Sequence, residues 1–388
     1  MAATVQNEGA MTSLRRAAGE LLVVGLGGTE LTGLERAWLK LVRPAGIILF
    51  KRNISDARQT RALLSNATAI TTLNALRCVD LEGGSVDRLR DALAPMPSAQ
   101  AVANCDARNH QSRKGQGARN TLATEHGALV AQAVKAFGFN TTLAPVLDLG
   151  LPDSARVMGT RTAAPSAKGV TDYAEGFLAG LTAYGVVGCA KHFPGLGGGT
   201  LDSHLETPAI LRNSDEIWRE DLAPYRNLRD LLPMVMENHA AYPATLGKSI
   251  PASVSHYWMT TVLRKRIGYK GILFSDDLEM GGILKFMPIE EAVVSAVRAG
   301  MDLMEICHSP ELILRAYEAL VAEAEKSKSF ASMLMARAKR NARLRTKWFS
   351  SPVQPQLSAR QFEALRARVL CFGETIAKCQ PTQEAQLA

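Results

Sequence analysis

Short runs of apolar and β-branched residues recur along most of the 388-residue chain, and a segment with helical spacing follows each of them. Runs such as GIILF and GILFS are apolar throughout, which is typical of strands covered on both faces. The pattern predicts strands at residues 20–26, 45–50, 75–80, 139–145, 186–191, 233–237, 271–275 and 302–307. It predicts helices at residues 31–41, 55–65, 121–137, 167–184, 214–231, 256–267, 289–299 and 311–326.

This alternation predicts an α/β fold, and both a single (β/α)₈ TIM-type barrel and a doubly wound open sheet share it. Polar residues follow the ends of many different strands, as the active face of a barrel requires. They are Lys51, Arg52, Asn53, Asp80, Glu82, Asp148, Lys191, His192, Glu237, Asn238, His239, Asp276 and Asp277. An open sheet would concentrate such residues at one switch point. The barrel is therefore favoured.

The barrel pattern covers about residues 20–330, and no repeat or second domain is evident. We interpret residues 1–388 as a single catalytic barrel domain, in which residues 331–388 form extra C-terminal helices and a polar tail. The connections at 81–120 and 193–213 are long and polar. Connections of that length in a compact barrel are usually lids or binding loops.

The net charge of +8 would suit an anionic partner, but the basic residues are scattered. The densest basic run extends from Arg337 to Lys347 and alternates with alanine and leucine. We interpret it as a solvated helix face. Because no nucleic-acid motif accompanies it, we expect no nucleic-acid partner.

The six cysteines form no CxxC pair, which predicts reduced thiols in a cytoplasmic protein. The apolar run after Arg15 and Arg16 is short and breaks at glycines, so we interpret it as the first strand rather than a secretion signal. No later stretch is long enough to insert into a membrane.

The glycine-rich segment after the predicted fifth strand is the most informative stretch of the sequence. Lys191 and His192 end that strand, and a loop with four glycines then leads to Asp202-Ser203-His204. A carboxylate two residues from a histidine can orient the imidazole and raise its pKa, which favours proton transfer near neutral pH. A surface loop with an incidental Asp-His pair and a phosphate-binding loop remain open alternatives.

Two further segments place carboxylates after buried strands. Asp276 is the first carboxylate after GILFS, where a fixed group can attack an anomeric carbon or stabilise an oxocarbenium ion. We interpret Asp277 as a helix N-cap. In VDLEGGSVDRL the two glycines permit a sharp turn, and Asp80 and Arg88 are candidates to bind sugar hydroxyls.

Taken together, the motifs KHFPGLGGGTLDSH, VDLEGGSVDRL and FSDDLEM resemble those of glycoside hydrolase family 3 β-N-acetylglucosaminidases. More narrowly, they are similar to the bacterial single-domain enzymes of peptidoglycan recycling. GIILFKRNI, APVLDL, the turn at 159–161, HAAYPA, PASVS and AGMDLMEIC extend the resemblance from about residue 20 to about residue 345.

The resemblance implies a retaining enzyme that releases N-acetylglucosamine from β-linked glycans or muropeptides. It implies that Asp276 is the nucleophile and that His204, assisted by Asp202, is the general acid/base. The matching sugar-binding residues are Asp80, Arg88, Arg161, Lys191 and His192. Leu196 and Gly198 replace a histidine and an aspartate that are common in the family's loop.

Other activities remain open at this point. A histidine acid/base carries no negative charge when deprotonated, so phosphate could replace water, which makes a β-N-acetylglucosaminide phosphorylase the main alternative. Lys191 could form a Schiff base in a barrel lyase, and a non-catalytic sugar-binding barrel is also conceivable. We expect no cofactor and no metal, because the seven histidines are dispersed and no cluster has metal-ligand spacing.

Overall fold

The computed structural model describes residues 2–112, 121–199, 207–349 and 355–379, with the side chains of 2–10 and 109–112 left out. Within these residues, eight parallel strands close into a barrel, and a separate two-stranded hairpin, β4 and β5, follows the third of them. The strands are β1 (Leu22–Gly25), β2 (Gly46–Leu49), β3 (Leu76–Val79), β4 (Leu81–Gly83), β5 (Val86–Asp87), β6 (Thr141–Thr142), β7 (Val187–Phe193), β8 (Met234–Glu237), β9 (Ile272–Asp277) and β10 (Leu303–Ile306).

The strand order around the barrel is β1-β2-β3-β6-β7-β8-β9-β10, and β10 pairs with β1 to close it. The predicted (β/α)₈ barrel is thus confirmed, and each of its eight strands lies within or overlaps a predicted strand. The α-helices within the described residues are α1 (Ala2–Gly19), α2 (Gly33–Val42), α3 (Ala57–Thr68), α4 (Ala99–Ser112), α5 (Leu122–Ala136), α6 (Ala155–Met158), α7 (Ala167–Ala183), α8 (Ser214–Glu216), α9 (Ala223–Leu228), α10 (Pro243–Leu246), α11 (Gly281–Leu284), α12 (Ile289–Ala299), α13 (Pro310–Lys326), α14 (Lys328–Trp348) and α15 (Ala359–Lys378).

Two predicted helices include π-helical turns. Ile217–Asp221 lies between α8 and α9, and Tyr257–Ile267 occupies the predicted helix at 256–267. Short 3₁₀ turns cover Lys51–Asn53, Pro152–Ser154, Gly159–Arg161 and Ala252–Val254.

The alternation of side chains along each strand separates the barrel interior from the layer under the helices. On β8, Met236 belongs to the interior cluster, which also contains Cys78, Cys189 and Phe274. Its neighbour Val235 packs into the outer cluster beneath the helices. Because successive strand residues point to opposite faces, the next inward positions at the carboxyl ends are those that can face a ligand.

Local sequence signals set the helix starts. At α2, Thr32 and Glu35 form a capping box: the Thr32 hydroxyl accepts from the Glu35 N–H at 3.2 Å, and Glu35 accepts from the Thr32 N–H at 2.8 Å. Asp56 caps α3 through the Gln59 N–H. Such caps satisfy amides that have no partner inside the helix.

The described part of the connection at 81–120 contains regular secondary structure. This structure is the β4–β5 hairpin and helix α4. Gly83 and Gly84 both have positive φ, and a Cβ at Gly83 would lie 2.0 Å from the Pro97 carbonyl oxygen. The sharp turn that the two glycines predict is therefore present.

The interpretation of the basic run as a solvated helix face is wrong for three of its arginines. On α14, Arg340 contacts the buried Asp302 at 3.0 Å and Arg337 lies 3.5 Å from it. Arg345 is buried and pairs with Glu20. These side chains point inward because their partners, Asp302 and Glu20, lie at the amino end of the barrel.

The prediction that all cysteines are reduced is also wrong. Cys105 on α4 and Cys379, just after α15, form a disulfide with a Cα–Cα distance of 5.4 Å. The two residues are 274 positions apart, so the sequence could not show that the C-terminal helix returns to α4. Cys78, Cys189, Cys307 and Cys371 are free thiols.

No helix among the described residues is both long enough and apolar enough to cross a bilayer.

Candidate active site

A cavity of about 510 Å³ opens at the carboxyl ends of the barrel strands. Six strands and their following loops contribute polar side chains to it, which is the arrangement that distinguishes a barrel from an open sheet. The polar and charged lining residues are Lys51, Arg52, Asp80, Glu82, Arg88, Arg161, Lys191, His192, Asp276, Asp277, Glu305 and His308.

A buried network of charges forms one wall of the cavity. Lys191 Nζ donates to Asp80 Oδ1 at 2.8 Å and lies 2.6 Å from Glu82 Oε1. Arg161 binds the same Glu82 carboxylate with two hydrogen bonds of 2.8 Å. Burial alone would raise the pKa of Glu82, but Arg161 and Lys191 hold it below its usual value. The wall is thus an ionised, rigid set of donors and acceptors.

Lys191 is held in its charged form. Burial opposes the charge, but Asp80 and Glu82 raise the pKa of Lys191 above its ordinary value. An amine must be neutral to attack a carbonyl, so this environment disfavours a Schiff base at Lys191.

His192 is oriented by Asp148, which follows β6. His192 Nδ1 donates to Asp148 Oδ2 at 2.6 Å, and its Nε2 lies 3.3 Å from Arg161 Nη2. The other oxygen of Asp148 accepts from the Leu196 N–H at 2.7 Å. Asp148 therefore positions both a cavity side chain and the beginning of the glycine-rich loop.

Asp276 lies near the end of β9, among positive groups. Its Oδ1 accepts from the Asp277 N–H at 2.9 Å. Burial by itself raises the pKa of Asp276, but the field of His192, His239 and Lys191 outweighs burial and lowers it below the ordinary value. The carboxylate is consequently ionised at neutral pH and lines the cavity.

Asp277 does not cap a helix, contrary to the sequence prediction. It is still within β9, and its Oδ1 accepts from the Glu279 N–H at 3.0 Å in the turn that follows. Helix α11 begins only at Gly281. Asp277 instead lines the cavity beside Cys307 and His308.

Arg88 lies at the mouth of the cavity. Its Nη2 is 3.6 Å from Asp80 Oδ2, and its guanidinium carbon is 5.8 Å from the centre of the Phe50 ring. The Nε of Arg88 is buried and has no hydrogen-bond partner among the described residues. Asp80 and Phe50 thus hold the Arg88 guanidinium in place, but its Nε donates no hydrogen bond to either of them.

The structure thus brings Asp80, Arg88, Arg161, Lys191, His192 and Asp276 to one cavity. Asp202 and His204 lie outside the described residues. The two ends of their loop are anchored. Tyr242 Oη donates to the Gly195 carbonyl at 2.7 Å at one end, and Arg212 Nε donates to Asp221 Oδ2 at 2.9 Å at the other.

The sequence pattern placed Glu82 on the active face without giving it a role, and it did not identify Glu305 as a site residue. The role of Glu82 was recognisable by its spacing, because it is two residues from Asp80. Glu305 is a charged residue inside the apolar run LMEIC. Burial and the nearby Asp277 raise the pKa of Glu305 well above its usual value.

Glu237, in contrast, is buried on the outward side of β8 and does not line the cavity. Neither of its carboxylate oxygens has a hydrogen-bond partner among the described residues, and burial raises its pKa well above the usual value. Its position excludes it as a group that touches a ligand in this cavity.

Residues 13–344 match the family model described as the glycosyl hydrolase family 3 N terminal domain. A β-hexosaminidase of Alkalilimnicola ehrlichii is 36% identical over 293 residues, which is 75% of this chain and 82% of that protein. A β-hexosaminidase of Bordetella parapertussis is 37% identical over 296 residues, covering 75% and 80% of the two chains.

Solved structures agree with this match. A family 3 β-N-acetylglucosaminidase from a Paenibacillus species superposes with a TM-score of 0.80 at 28% identity, covering 92% of this chain and 68% of that one. NagZ from Neisseria gonorrhoeae, solved with N-trifluoroacetyl-D-glucosamine, gives a TM-score of 0.71 at 28% identity and covers 91% and 97%. The chain is a glycoside hydrolase that belongs to glycosyl hydrolase family 3.

Proposed function

We propose that this hydrolase is a retaining exo-β-N-acetylglucosaminidase in which Asp276 forms a covalent glycosyl-enzyme. The observation that carries the proposal is an ionised carboxylate that lines the cavity beside Lys191 and His192. In a retaining glycosidase one carboxylate attacks the anomeric carbon while a second group protonates the leaving oxygen. The positive surroundings of Asp276 keep it ready to attack at neutral pH.

The charge network of Asp80, Glu82, Arg161 and Lys191 suits the binding of sugar hydroxyls. Asp80 offers acceptor oxygens, and Arg161 and Lys191 offer donors whose positions are locked by Glu82. Preorganised donors and acceptors of this kind bind the transition state without reorganising during the reaction. Glu82 is then a positioning residue, since both of its partners reach the cavity and it orients them.

We assign the general acid/base role to His204, with Asp202 as its partner. The support is the family resemblance of the Asp-Ser-His segment and the position of Leu196, at the beginning of its loop, in the cavity lining. After the first step, the deprotonated imidazole would take a proton from water as water attacks the glycosyl-enzyme. The imidazole thereby recovers from water the proton that it gave to the aglycone.

For the natural substrate we propose β-linked N-acetylglucosamine in peptidoglycan fragments. The Arg88 side chain supports it: it lines the cavity and is 33% exposed, and muropeptides carry carboxylates that a guanidinium binds with two hydrogen bonds. A role in recycling such fragments would place the protein in the cytoplasm, where the Cys105–Cys379 disulfide would have to persist against cellular thiols.

The test uses p-nitrophenyl β-N-acetylglucosaminide with the full chain. We expect free N-acetylglucosamine both with and without phosphate; a sugar 1-phosphate in the phosphate arm would establish the phosphorylase alternative instead. A fluorinated N-acetylglucosamine inactivator should label Asp276, detected by peptide mass spectrometry. Labelling of Asp277 or Glu279, or binding without any turnover, would contradict the proposal.

A further inference from the structure

The segment that follows β8 contacts the beginning of the loop that carries Asp202 and His204. The Asn238 N–H donates to the Phe193 carbonyl at 2.9 Å, and Asn238 Nδ2 donates to the His192 carbonyl at 3.0 Å. The two carbonyls belong to the last two residues of β7. A single asparagine therefore holds the point where the loop leaves the barrel.

Tyr242 extends this contact to Gly195. The second N–H of Asn238 Nδ2 donates to Tyr242 Oη at 2.9 Å, and Tyr242 Oη donates to the Gly195 carbonyl at 2.7 Å. Burial raises the pKa of the Tyr242 hydroxyl well above its ordinary value, so the hydroxyl stays a donor. Because Asn238 Oδ1 accepts from the Ala240 N–H at 2.8 Å, the orientation of the amide is fixed, and every side-chain N–H and O–H of this buried pair is used.

The same segment contacts the end of the loop through its backbone. The Ala241 N–H donates to the Pro208 carbonyl at 2.8 Å, and the Ala241 carbonyl accepts from the Ile210 N–H at 2.8 Å. These two bonds form a parallel bridge between Ala209 and Ala241. Residues 238–242 thus hold both ends of the loop, and we call them the loop clamp.

The loop clamp is also joined to the strand that carries Asp276. His239 Nε2 lies 3.0 Å from the Asp277 carbonyl oxygen, and His239 Nδ1 lies 2.7 Å from Ser253 Oγ. Because a carbonyl oxygen only accepts, Nε2 carries the proton and the serine hydroxyl donates to Nδ1. Burial lowers the pKa of His239, which favours the neutral imidazole that this arrangement requires. The clamp therefore connects both ends of the loop to the residue next to Asp276.

We propose that the loop clamp sets the distance between Asp276 and the acid/base on the loop. In a retaining glycosidase these two groups act on one glycosidic bond, and a displacement of about 1 Å can cost roughly 10²-fold in rate. None of residues 238–242 is among the described residues that line the cavity, so they are positioning residues. This role rests on the proposed functions of Asp276 and His204.

Tyr242→Phe is the first test, and Tyr225→Phe is its matched control. Both substitutions remove only the hydroxyl of a buried tyrosine. The Tyr225 ring centre lies 5.1 Å from that of Phe193, but the Tyr225 hydroxyl has no hydrogen-bond partner among the described residues. We expect Tyr242→Phe to lower kcat/KM roughly 10²-fold on a sugar aglycone and much less on a p-nitrophenyl aglycone. Tyr225→Phe should lower neither.

This selective loss on the poorer leaving group distinguishes positioning from misfolding. A smaller folded fraction lowers the rate on both substrates by the same factor, whereas a displaced acid fails mainly where the leaving oxygen needs a proton. Asn238→Ala, which removes the donors to His192 and Tyr242, should show the same selective loss.

Comparison with His204→Ala separates the loop clamp from the role of His204. Equal losses on the two substrates in Tyr242→Phe and Asn238→Ala, or no loss, would overturn the clamp whatever His204→Ala shows. A selective loss in both clamp variants but not in His204→Ala would support the clamp and assign the proton transfer to another group on the loop.

Discussion

At the scale of single residues, neighbours rather than residue type decide chemical roles in this protein. Asp276 and Asp277 are adjacent in sequence, yet Asp276 lies in the field of His192 and Lys191 and Asp277 accepts from a turn amide. Lys191 is a potential nucleophile by type, but Asp80 and Glu82 hold it as a cation.

The charge of Lys191 should affect the pH dependence of activity. Asp276 must be ionised, and its lowered pKa places the acid limb of kcat/KM below the ordinary aspartate value of 3.8. In Lys191→Met one of the groups that lowers this pKa is lost, so the acid limb should move to higher pH. Because Asp80 and Glu82 also lose their partner, kcat/KM should fall roughly 10²- to 10³-fold.

Lys191→Arg is the control, because it keeps the positive charge. It should retain the acid limb of the wild type and part of the activity, as measured from pH 3 to pH 8. Equal inactivation of both variants, together with borohydride trapping of a substrate on Lys191 of the wild type, would point to Schiff-base chemistry.

The role of His204 can be tested by comparing substrates whose leaving groups differ in how much they need protonation. Protonation matters most for poor leaving groups, so His204→Ala should slow alkyl or sugar glycosides severely and p-nitrophenyl glycosides much less. With the activated substrate, the second step lacks its base, and a burst of p-nitrophenol should appear. Asp202→Ala should show a milder form of the same pattern, because the imidazole itself remains. The same loss on both substrates, without a burst, would remove His204 from this role.

At the scale of elements, the glycine-rich loop depends on the structures at its two ends. Lys191 and His192, near the end of β7, lie in the cavity. Asp148 then accepts a hydrogen bond from the Leu196 N–H, which fixes the beginning of the loop. Gly195 has a φ of +139°, and a Cβ there would lie 2.9 Å from Asp221. Because residue 195 is a glycine, the loop can leave the barrel close to Asp221. Asp221 also pairs with Arg212, which lies at the other end of the loop.

Asp148 should act through the loop and not on the substrate. Asp148→Ala removes the acceptors for both Leu196 and His192, so kcat should fall roughly 10²-fold, the cost of a displacement of about 1 Å in a catalytic group. Asp148→Asn keeps an acceptor for the Leu196 N–H and should restore part of kcat. Steady-state kinetics on a sugar aglycone measures both, with the exposed Asp153→Ala as control. No rescue by asparagine would argue against anchoring.

Asp221 should give an unusual dependence of stability on pH. Burial raises its pKa to about 6, although Arg212 opposes the shift. Between 3.8 and about 6 the unfolded carboxyl is ionised while the folded one keeps its proton, so the folded state binds more protons and this contribution to stability falls as pH rises. Above about 6 the contribution is constant.

Chemical denaturation of the wild type and Asp221→Asn at pH 4, 5, 6 and 7 measures this effect. The free energy of unfolding of the variant relative to the wild type should rise up to about pH 6 and then level off. A difference that is the same at all four pH values would mean that Asp221 titrates normally in the folded protein.

At the scale of the whole molecule, the C-terminal helix is held against the barrel helices by side-chain contacts and by a covalent bond. On α15, Phe372 packs against His126 and Arg368 donates to Gln132 at 2.7 Å, both on α5. The Cys105–Cys379 disulfide joins the end of this helix to α4.

Reduction should destabilise the protein without abolishing the barrel. A disulfide that closes a long loop restricts the unfolded chain and typically contributes about 2–4 kcal/mol. Dithiothreitol should therefore lower the denaturation midpoint of the wild type and of Cys371→Ser, but not that of Cys105→Ser, which should already be lower. Equal midpoints for all three proteins in the absence of reductant would show that the bond does not contribute.

The repeating pattern, together with the polar residues that follow many different strands, was sufficient to predict the barrel. Strands covered on both faces must be apolar, and the helices between them must be amphipathic, so eight such units leave few arrangements. The cavity residues Asp80, Lys191, His192 and Asp276 were predictable because each lies at or just after the carboxyl end of an apolar run that forms a buried strand. The barrel brings all carboxyl ends to one face whatever the details of packing.

Other features depended on contacts between distant parts of the chain, and only the tertiary structure decided them. The inward arginines of α14, the pairing of Cys105 with Cys379, and the approach of Asp277 to Cys307 and His308 each join segments far apart in sequence. Local propensity carries no information about such contacts, because their energy exists only after the strands have closed. The sequence therefore determined the fold and the kind of chemistry, while packing determined which charges are paired and which remain available to a ligand.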